Sequence, residues 1–583
     1  MSDRDRNQVT GTLPSEDPHW HSAVEAARII GDAGEITWHG EADFVVIGFG
    51  GAGAAAALEA CEQGLSVIAL ERFQGGGATL ASGGVFYAGG GTPIQQAAGV
   101  SDDPENMFAY LRQETEGIVS DKTLMRFCQE SAQTVRWLMA HGVEFRSTLW
   151  AEKTSYPPVD YFLYHSDSSL VSSYRKTARP AARGHRGYVP PEQGIKAINL
   201  GGSIYHPLRQ AAVQRGTVVH EQTEARQLVL DRSGRVLGVK VLKLPIPGEA
   251  ATQHRALIAK AQKLLSGYPA NFPLGGMVRW LARRYLIKAR RIEDAHRIEQ
   301  FYRARKALCI SAGGFIFNEA MVKHHAPQYL CGHPIGTQGD DGSGIRLGQT
   351  AGGALGHMNR VSAWRFISPP HAWAQGIVVN TRGQRFIDES VYGARLGAEI
   401  GERQGGQSFL ILDQRLLREA LAQVANARVL PFQRDLARLN TWIAARSAPT
   451  LEALAGKIGV DAAGLAATVE TYNRAARGEI ADPLGKSASD LQALLHPPYS
   501  AVDIGLGARL FPCPTLTLGG LRIDEDSGQV AHVDGGVVPG LYAAGRSAVG
   551  VCSGNYVSGL SISDCIFSGR RAARHAAQQE PAA

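Results

Sequence analysis

The sequence predicts an α/β fold built on a Rossmann-like dinucleotide-binding unit. Three observations predict it. An apolar β-branched run, "FVVIG" (44–48), leads directly into glycines 48, 50 and 53 in G-x-G-x-x-G spacing. An alanine-rich helical stretch follows. A second apolar run, "SVIALE" (66–71), then ends on an acid.

Each part has a physical task. A continuous apolar run suits a strand buried on both faces. Gly48 permits the tight turn, Gly50 lets a pyrophosphate approach the backbone, and Gly53 lets helix and strand pack closely. Gly51 opens the helix, whose N-terminus favours phosphate. Glu71 stands 23 residues after Gly48. A carboxylate there suits a ribose hydroxyl and disfavours a 2′-phosphate. A glycine-rich turn without a ligand would not need all of these parts in this order.

Bulk properties bound the rest. The chain has 583 residues, 44% of them hydrophobic, which is too long for one compact unit. The 68 glycines follow no short period, so a fibrous protein is excluded, and no solenoid or propeller period is visible. The first twenty residues are polar and carry no apolar signal core. No apolar run reaches the ~18 residues of a membrane span. Seven scattered cysteines without a C-x-x-C pair fit a reducing cytoplasm and no metal site. The net charge of +6 is concentrated: Lys243 to Lys306 holds fourteen Lys/Arg against four Asp/Glu. This is a local docking surface, and no nucleic-acid-reading motif accompanies it.

"GGGATLASGG" (75–84) follows the acid at once, and "PGLYAAGRSAVG" (539–550) supplies a late strand ending on glycine. On these segments, with "ALCISAGGF" (307–315) and "TEARQLVLDRSGRVLGVKV" (223–241), the chain resembles the flavoprotein family of fumarate reductases and 3-ketosteroid dehydrogenases. The alternation and Asp-x-x-Gly turn of 223–241 independently indicate a β-hairpin. The resemblance covers about residues 40–580. It implies FAD held by Gly48, Gly50, Gly51, Gly53, Glu71, Arg72, Gly76, Gly77, Ala78, Thr79, Ser82, Gly83, Gly84, Ala225, Ala312, Gly313, Gly545, Arg546, Ser561 and Ile562. It also implies an FAD domain split into 40–330 and 505–583, after an N-terminal extension of 1–39. A substrate-capping α+β domain at 331–504 lies between the two parts, with the active site at the interface.

The subgroup implied is the Δ4-type 3-ketosteroid dehydrogenase, through "GGGTPIQQAAG" (89–99), "ARGH" (182–185), "GGSIYHPL" (201–208) and "GNYVSG" (554–559). "GAT" stands where succinate enzymes carry a flavin-linked histidine, which implies non-covalent FAD. In "RFIDESVYGAR" (385–395) the position of the fumarate-reductase arginine is Gly393, with Arg395 two residues late. The Δ1-type Tyr-Pro-Gly element is replaced by "YVSGL", with Gly559 three residues after Tyr556.

Oxidising a C–C bond beside a ketone requires loss of a proton next to the carbonyl and of a hydride from the neighbouring carbon. The proton is acidic only if the carbonyl oxygen is stabilised by hydrogen-bond donors. Tyr556 and the backbone at Gly559 are the candidates for that role. Ser558 is the candidate base, with Tyr392 as relay; the two roles remain interchangeable at this stage. The alternatives are Δ1-dehydrogenation, a fumarate-reductase-like enoate reductase, and a flavin-binding protein without enzymatic activity. The partners expected are a steroid and an external electron acceptor such as a quinone.

Residues 245–305 have no counterpart in the soluble relatives. On a helical wheel Met277, Leu281, Tyr285 and Ile292 share a face opposite Arg279, Arg283 and Arg290, interrupted by Trp280 and Leu286. That pattern is expected of an interfacial helix at 270–292, giving a cytoplasmic protein in peripheral contact with the membrane. A solvated helical hairpin is the alternative.

Overall fold

In the computed structural model, residues 23–190, 200–269, 272–425 and 429–582 are described. The polar start of the chain, residues 1–22, falls outside them.

The apolar runs form the centre of a nine-stranded sheet. Its strands are β1 (Arg28–Ile30), β2 (Gly40–Ile47), β3 (Val67–Leu70), β4 (Val218–His220), β5 (Thr223–Asp231), β6 (Val236–Lys243), β7 (Ile298–Ile310), β8 (Gln529–Ala531) and β9 (Val537–Ala543). The spatial order is β1-β5-β6-β7-β2-β3-β4, with β9 on β7 and β8 on β9. β7 is long enough to serve three neighbours. Its first half pairs antiparallel with β6, and its second half lies parallel to β2 on one side and β9 on the other. Ile47, Ile310 and Ala543 therefore end side by side, and Leu70 pairs with Ile47. Three glycine-bearing loops leave the sheet at one edge, where open α/β sheets bind ligands.

Helix α1 (Gly51–Glu62) is buried from Gly51 through Ala60, which its run of alanines allows. Its partner is the C-terminal helix α4 (Leu560–Ala577). A Cβ on Gly569 of α4 would lie 2.5 Å from the carbonyl oxygen of Ala52, so the two helices touch at backbone distance.

A second, four-stranded sheet joins Ile377–Val379, Phe409–Leu412, Tyr499–Asp503 and Arg446–Ala448, with the helices Gln414–Ala425 and Leu451–Ile458 packed against it. A third sheet of four short strands includes Val85–Tyr87, Gly184–Arg186 and Leu163–Tyr164.

The basic segment forms two helices, α2 (Glu249–Gly267) and α3 (Gly275–His296), joined as a hairpin between β6 and β7. Lys243 pairs with Ile298, so Arg303, Arg305 and Lys306 of the basic run belong to β7. The inward stripe of α3 is Ala282, Leu286, Ala289 and Glu293, a helical i, i+4, i+7, i+11 row. Leu286 packs on Ile258 and Ala261 of α2, near Phe73. Met277, Trp280 and Leu281 remain exposed. Burial of the His254–Glu293 pair, 2.8 Å apart, explains the stripe's polar end. No helix among the described residues is long and apolar enough to cross a membrane.

Candidate active site

The cofactor cradle begins at the strand ends. Gly48 takes a positive φ of 89°, and a Cβ there would lie 2.7 Å from Ala312 Cα and from Ser311 O. A Cβ on Gly53 would lie 2.0 Å from Gly48 O, so only glycine closes this turn. Gly50 is different: its nearest neighbour would be Gly76 O at 3.6 Å, and one side of its backbone is left open. Gly51 N–H approaches Thr79 Oγ1 at 3.3 Å, tying the first glycine loop to the loop holding Gly76, Gly77 and Ala78. Ser82 donates to Thr79 O (2.7 Å), and Gly84, also at positive φ, backs against Leu200.

Glu71 accepts from the N–H groups of Phe49 and Phe73, both at 2.8 Å. Burial pushes its carboxyl upward, and these two donors oppose the shift. Gly313 and Gly545 take positive φ at the ends of β7 and β9. Arg546 pairs with Asp340, yet its Nη1 is buried with no hydrogen-bond partner. A cradle that excludes side chains, an acid at the second strand end and an orphaned guanidinium nitrogen fit a dinucleotide. Ser561 and Ile562 lie in the first turn of α4. Arg72 is held differently from the glycine loops. Its guanidinium meets Asp341 at 3.1 Å and Glu224 at 3.3 Å, and Glu224 adjoins Ala225 on β5.

The other candidates converge. Tyr556, Ser558 and Tyr392 are all buried. Tyr392 is the N-cap residue of the helix Gly393–Arg403, and Tyr556 and Ser558 lie in the turn before α4. The Tyr392 phenol lies close to Ser558, whose hydroxyl opposes the burial-driven rise of its pKa. Tyr164, which sequence reasoning missed, lies with its hydroxyl 3.3 Å from Ser558 Oγ. The Gly559 N–H is directed at the Tyr556 hydroxyl. Gly559 has φ of 89°, and a Cβ there would lie 2.7 Å from Tyr87 N, so the turn requires glycine. Tyr556 stacks on Trp364 at 5.2 Å, and Phe366 meets Tyr392 edge-on at 5.3 Å. Burial raises the phenol pKa of Tyr392, Tyr164 and Tyr556, each with further upward pressure from neighbouring tyrosines. The cluster is therefore neutral, apolar-walled and rich in O–H groups. Neither "YFLYH" nor the aromatic pair in "AWRF" carries a motif that would have marked Tyr164, Trp364 or Phe366.

The arginine of a fumarate-reductase site has no room. A Cβ on Gly393 would lie 2.4 Å from Phe366 Cδ1 and 2.9 Å from Arg365 O. Arg395 pairs with Glu116 and Glu399, in a charged outer cleft with Arg360 and Glu402.

The chain is similar to known proteins over most of its length. The family described as an FAD binding domain matches residues 43–562. The 3-oxo-5-alpha-steroid 4-dehydrogenase of Comamonas testosteroni is 38% identical over 530 residues, 88% of this chain and 94% of that protein. A 3-oxosteroid 1-dehydrogenase of Mycobacterium tuberculosis is 27% identical, over 92% of this chain and 99% of its own. The crystal structure of 3-ketosteroid-delta4-(5alpha)-dehydrogenase from Rhodococcus jostii RHA1, in complex with 4-androstene-3,17-dione, superimposes with a TM-score of 0.76 at 31% identity. It covers 95% of this chain and 100% of that one. With a glycine cradle for a dinucleotide and a tyrosine–serine cluster in place of an arginine site, the chain belongs to the FAD-binding flavoprotein family of fumarate reductases and 3-ketosteroid dehydrogenases, on its Δ4-dehydrogenase side.

Proposed function

We propose that this chain oxidises a 3-ketosteroid at the bond between carbons 4 and 5, giving the 4-ene-3-ketone. The observation that carries the reading is the convergence of two functions at one turn. The Gly559 N–H lies beside the Tyr556 hydroxyl, and two residues from Tyr556 the Ser558 hydroxyl lies 3.3 Å from that of Tyr164 and close to Tyr392.

The chemistry follows from that pairing. The steroid ketone accepts from Tyr556 and Gly559, which stabilise negative charge on its oxygen as the carbon-4 proton leaves. Ser558 Oγ takes that proton. A neutral serine is a weak base, so as the first proton arrives its own passes to the phenol oxygen of Tyr392 or Tyr164, which releases its hydroxyl proton towards solvent, leaving serine and phenol neutral. The buried phenols keep the relay neutral. Trp364 and Phe366 exclude water and present a flat apolar wall to the steroid rings. FAD, when bound, supplies the hydride acceptor for the hydrogen on carbon 5. The cradle residues Gly48, Gly50, Gly53, Glu71, Gly313 and Arg546 would hold it, without a covalent link.

In this reading residues 331–504 cap an FAD domain formed from 40–330 and 505–583. Electrons leave to an external acceptor, and a quinone suits a hairpin that rests on a membrane. Exposed Met277, Trp280 and Leu281 beside Arg283, Arg284 and Lys288 support such contact from the cytoplasmic side. Deleting 270–292 should abolish binding to anionic liposomes, and unchanged binding would remove the membrane role.

The test of the activity is anaerobic mixing with 5α- and 5β-saturated 3-ketosteroids and with a 4-ene-3-ketosteroid. Bleaching of the flavin by a saturated ketone, with the 4-ene as product, is expected. A 1,4-diene formed from the 4-ene substrate would assign Δ1 chemistry instead. No bleaching by any of the three would remove the steroid reading.

A further inference from the structure

The candidate catalytic groups come from two distant stretches, residue 392 and residues 556–559, and nothing in either stretch alone fixes their spacing. A third segment does. Residues 164–169, "YHSDSS", run directly behind both. Ser166 grips the backbone of Ser558 at two points: its carbonyl accepts the Ser558 N–H at 3.2 Å, and its hydroxyl donates to the Ser558 carbonyl at 3.1 Å. Two residues on, the Ser168 hydroxyl accepts the Tyr392 N–H at 2.9 Å.

The segment is itself immobilised. Ser166, Asp167 and Ser168 are each 0% exposed. Asp167 accepts from the Tyr87 hydroxyl at 2.7 Å and from Ser169 N–H at 2.9 Å. Ser168 N–H donates to the Tyr110 hydroxyl at 2.9 Å. Tyr110 donates to Glu114 at 2.6 Å, Glu114 accepts from Asn555 at 3.0 Å, and Asn555 Oδ1 accepts the Tyr556 N–H at 3.0 Å. The chain of bonds thus returns to the catalytic turn. A Cβ on Gly184 would lie 2.6 Å from Ser166 Cβ, so the neighbouring strand leaves Ser166 no room to shift.

We infer that Ser166 and Ser168 are positioning residues, a strap that sets the Ser558 hydroxyl against the Tyr392 hydroxyl. The inference rests on the catalytic reading of those two groups. A misplacement of about 1 Å in a reacting group can cost on the order of 10²-fold in rate, which is why such a strap would matter.

The test is a double-mutant cycle on the full FAD-loaded protein, reading the rate of anaerobic flavin reduction by a saturated 3-ketosteroid. Ser168→Ala leaves the Tyr392 N–H buried without an acceptor. It should slow reduction by roughly 5- to 150-fold, the cost of one orphaned buried donor. FAD content and the steroid dissociation constant should stay unchanged, and Ser168→Thr, which keeps the acceptor, should restore the rate. In a Tyr392→Phe background Ser168→Ala should add about twofold or less, because no hydroxyl remains to be placed. An equal penalty in both backgrounds would overturn the strap while leaving the catalytic reading intact. A Tyr392→Phe protein that reduces its flavin normally would overturn the catalytic reading and the strap together. Should Ser168→Ala fail to fold, the parallel cycle of Ser166→Ala with Ser558→Ala decides by the same additivity rule.

Discussion

Ser558 Oγ lies 3.3 Å from the hydroxyl of Tyr164, a residue on a two-residue strand more than 390 positions away in the chain. Tyr392 also lies close to Ser558. If Ser558 receives the substrate proton, Ser558→Ala should slow flavin reduction by about 10²–10⁴-fold. Tyr164→Phe removes one of two neutral partners and should cost only about 2- to 12-fold. Anaerobic stopped-flow measurement of both variants checks this. A Tyr164→Phe enzyme as slow as Ser558→Ala would move the base role to Tyr164.

Tyr556 should act only as charge develops on the ketone oxygen. Tyr556→Phe keeps the stacking surface for Trp364 and loses the O–H donor. Its kcat should fall by about 10²–10³-fold, as for loss of one oxyanion donor. Steroid binding, followed by perturbation of the flavin absorbance, should change little. A fall in binding with kcat preserved would mark Tyr556 as a wall residue.

Gly50 and Gly53 should fail for different reasons. Gly53→Ala places a methyl 2.0 Å from Gly48 O and should prevent folding of the first turn. Gly50→Ala meets nothing closer than 3.6 Å in the protein. It should fold and still lose FAD, because the open side of Gly50 is where the pyrophosphate approaches. Circular dichroism together with FAD content separates the two. A Gly50→Ala protein that keeps its yellow cofactor would argue against that approach.

Acid should unfold this protein partly through Glu389. Although burial alone would raise its pKa, the Lys486 ammonium at 3.0 Å and the Arg385 guanidinium at 2.8 Å hold the carboxyl down to about 2. The folded value lies below the unfolded one. The pair therefore stabilises fully above the unfolded pKa, and that contribution is lost as pH falls from about 4.5 towards 2. Glu389→Gln leaves Lys486 buried without its counter-charge and should cost about 3–5 kcal/mol at neutral pH. The deficit relative to the parent should narrow below pH 4.5 in chemical denaturation, and a pH-independent deficit would exclude the linkage.

The first turn was legible in the sequence because its constraints are local. Gly48 and Gly53 answer to steric needs within one strand–turn–helix, where positive φ and backbone-distance packing leave no space for a side chain, while Gly50 leaves one side of the backbone open. Tyr556, Ser558 and Gly559 were legible for a similar reason, since one short loop carries them all. Periodicity marked α3 as amphipathic without showing which of its faces packs on the protein. Here the buried stripe runs through small alanines and a paired Glu293, and large apolar side chains are left outside.

Order along the chain settled which strands and turns exist; it could not settle which of them meet. Tyr164, Ser166 and Ser168 carry no motif, since a tyrosine or serine in an apolar stretch looks like any other. Their importance comes from lying behind both Tyr392 and Ser558, and that proximity exists only once β2, β7 and β9 align and the turn before α4 folds onto the strand at Leu163–Tyr164. The exclusion of an arginine at 393 is likewise tertiary, because Phe366 fills its place from another element. Backbone geometry is written in neighbouring residues, whereas hydrogen-bond partners and filled volumes depend on contacts between residues hundreds of positions apart.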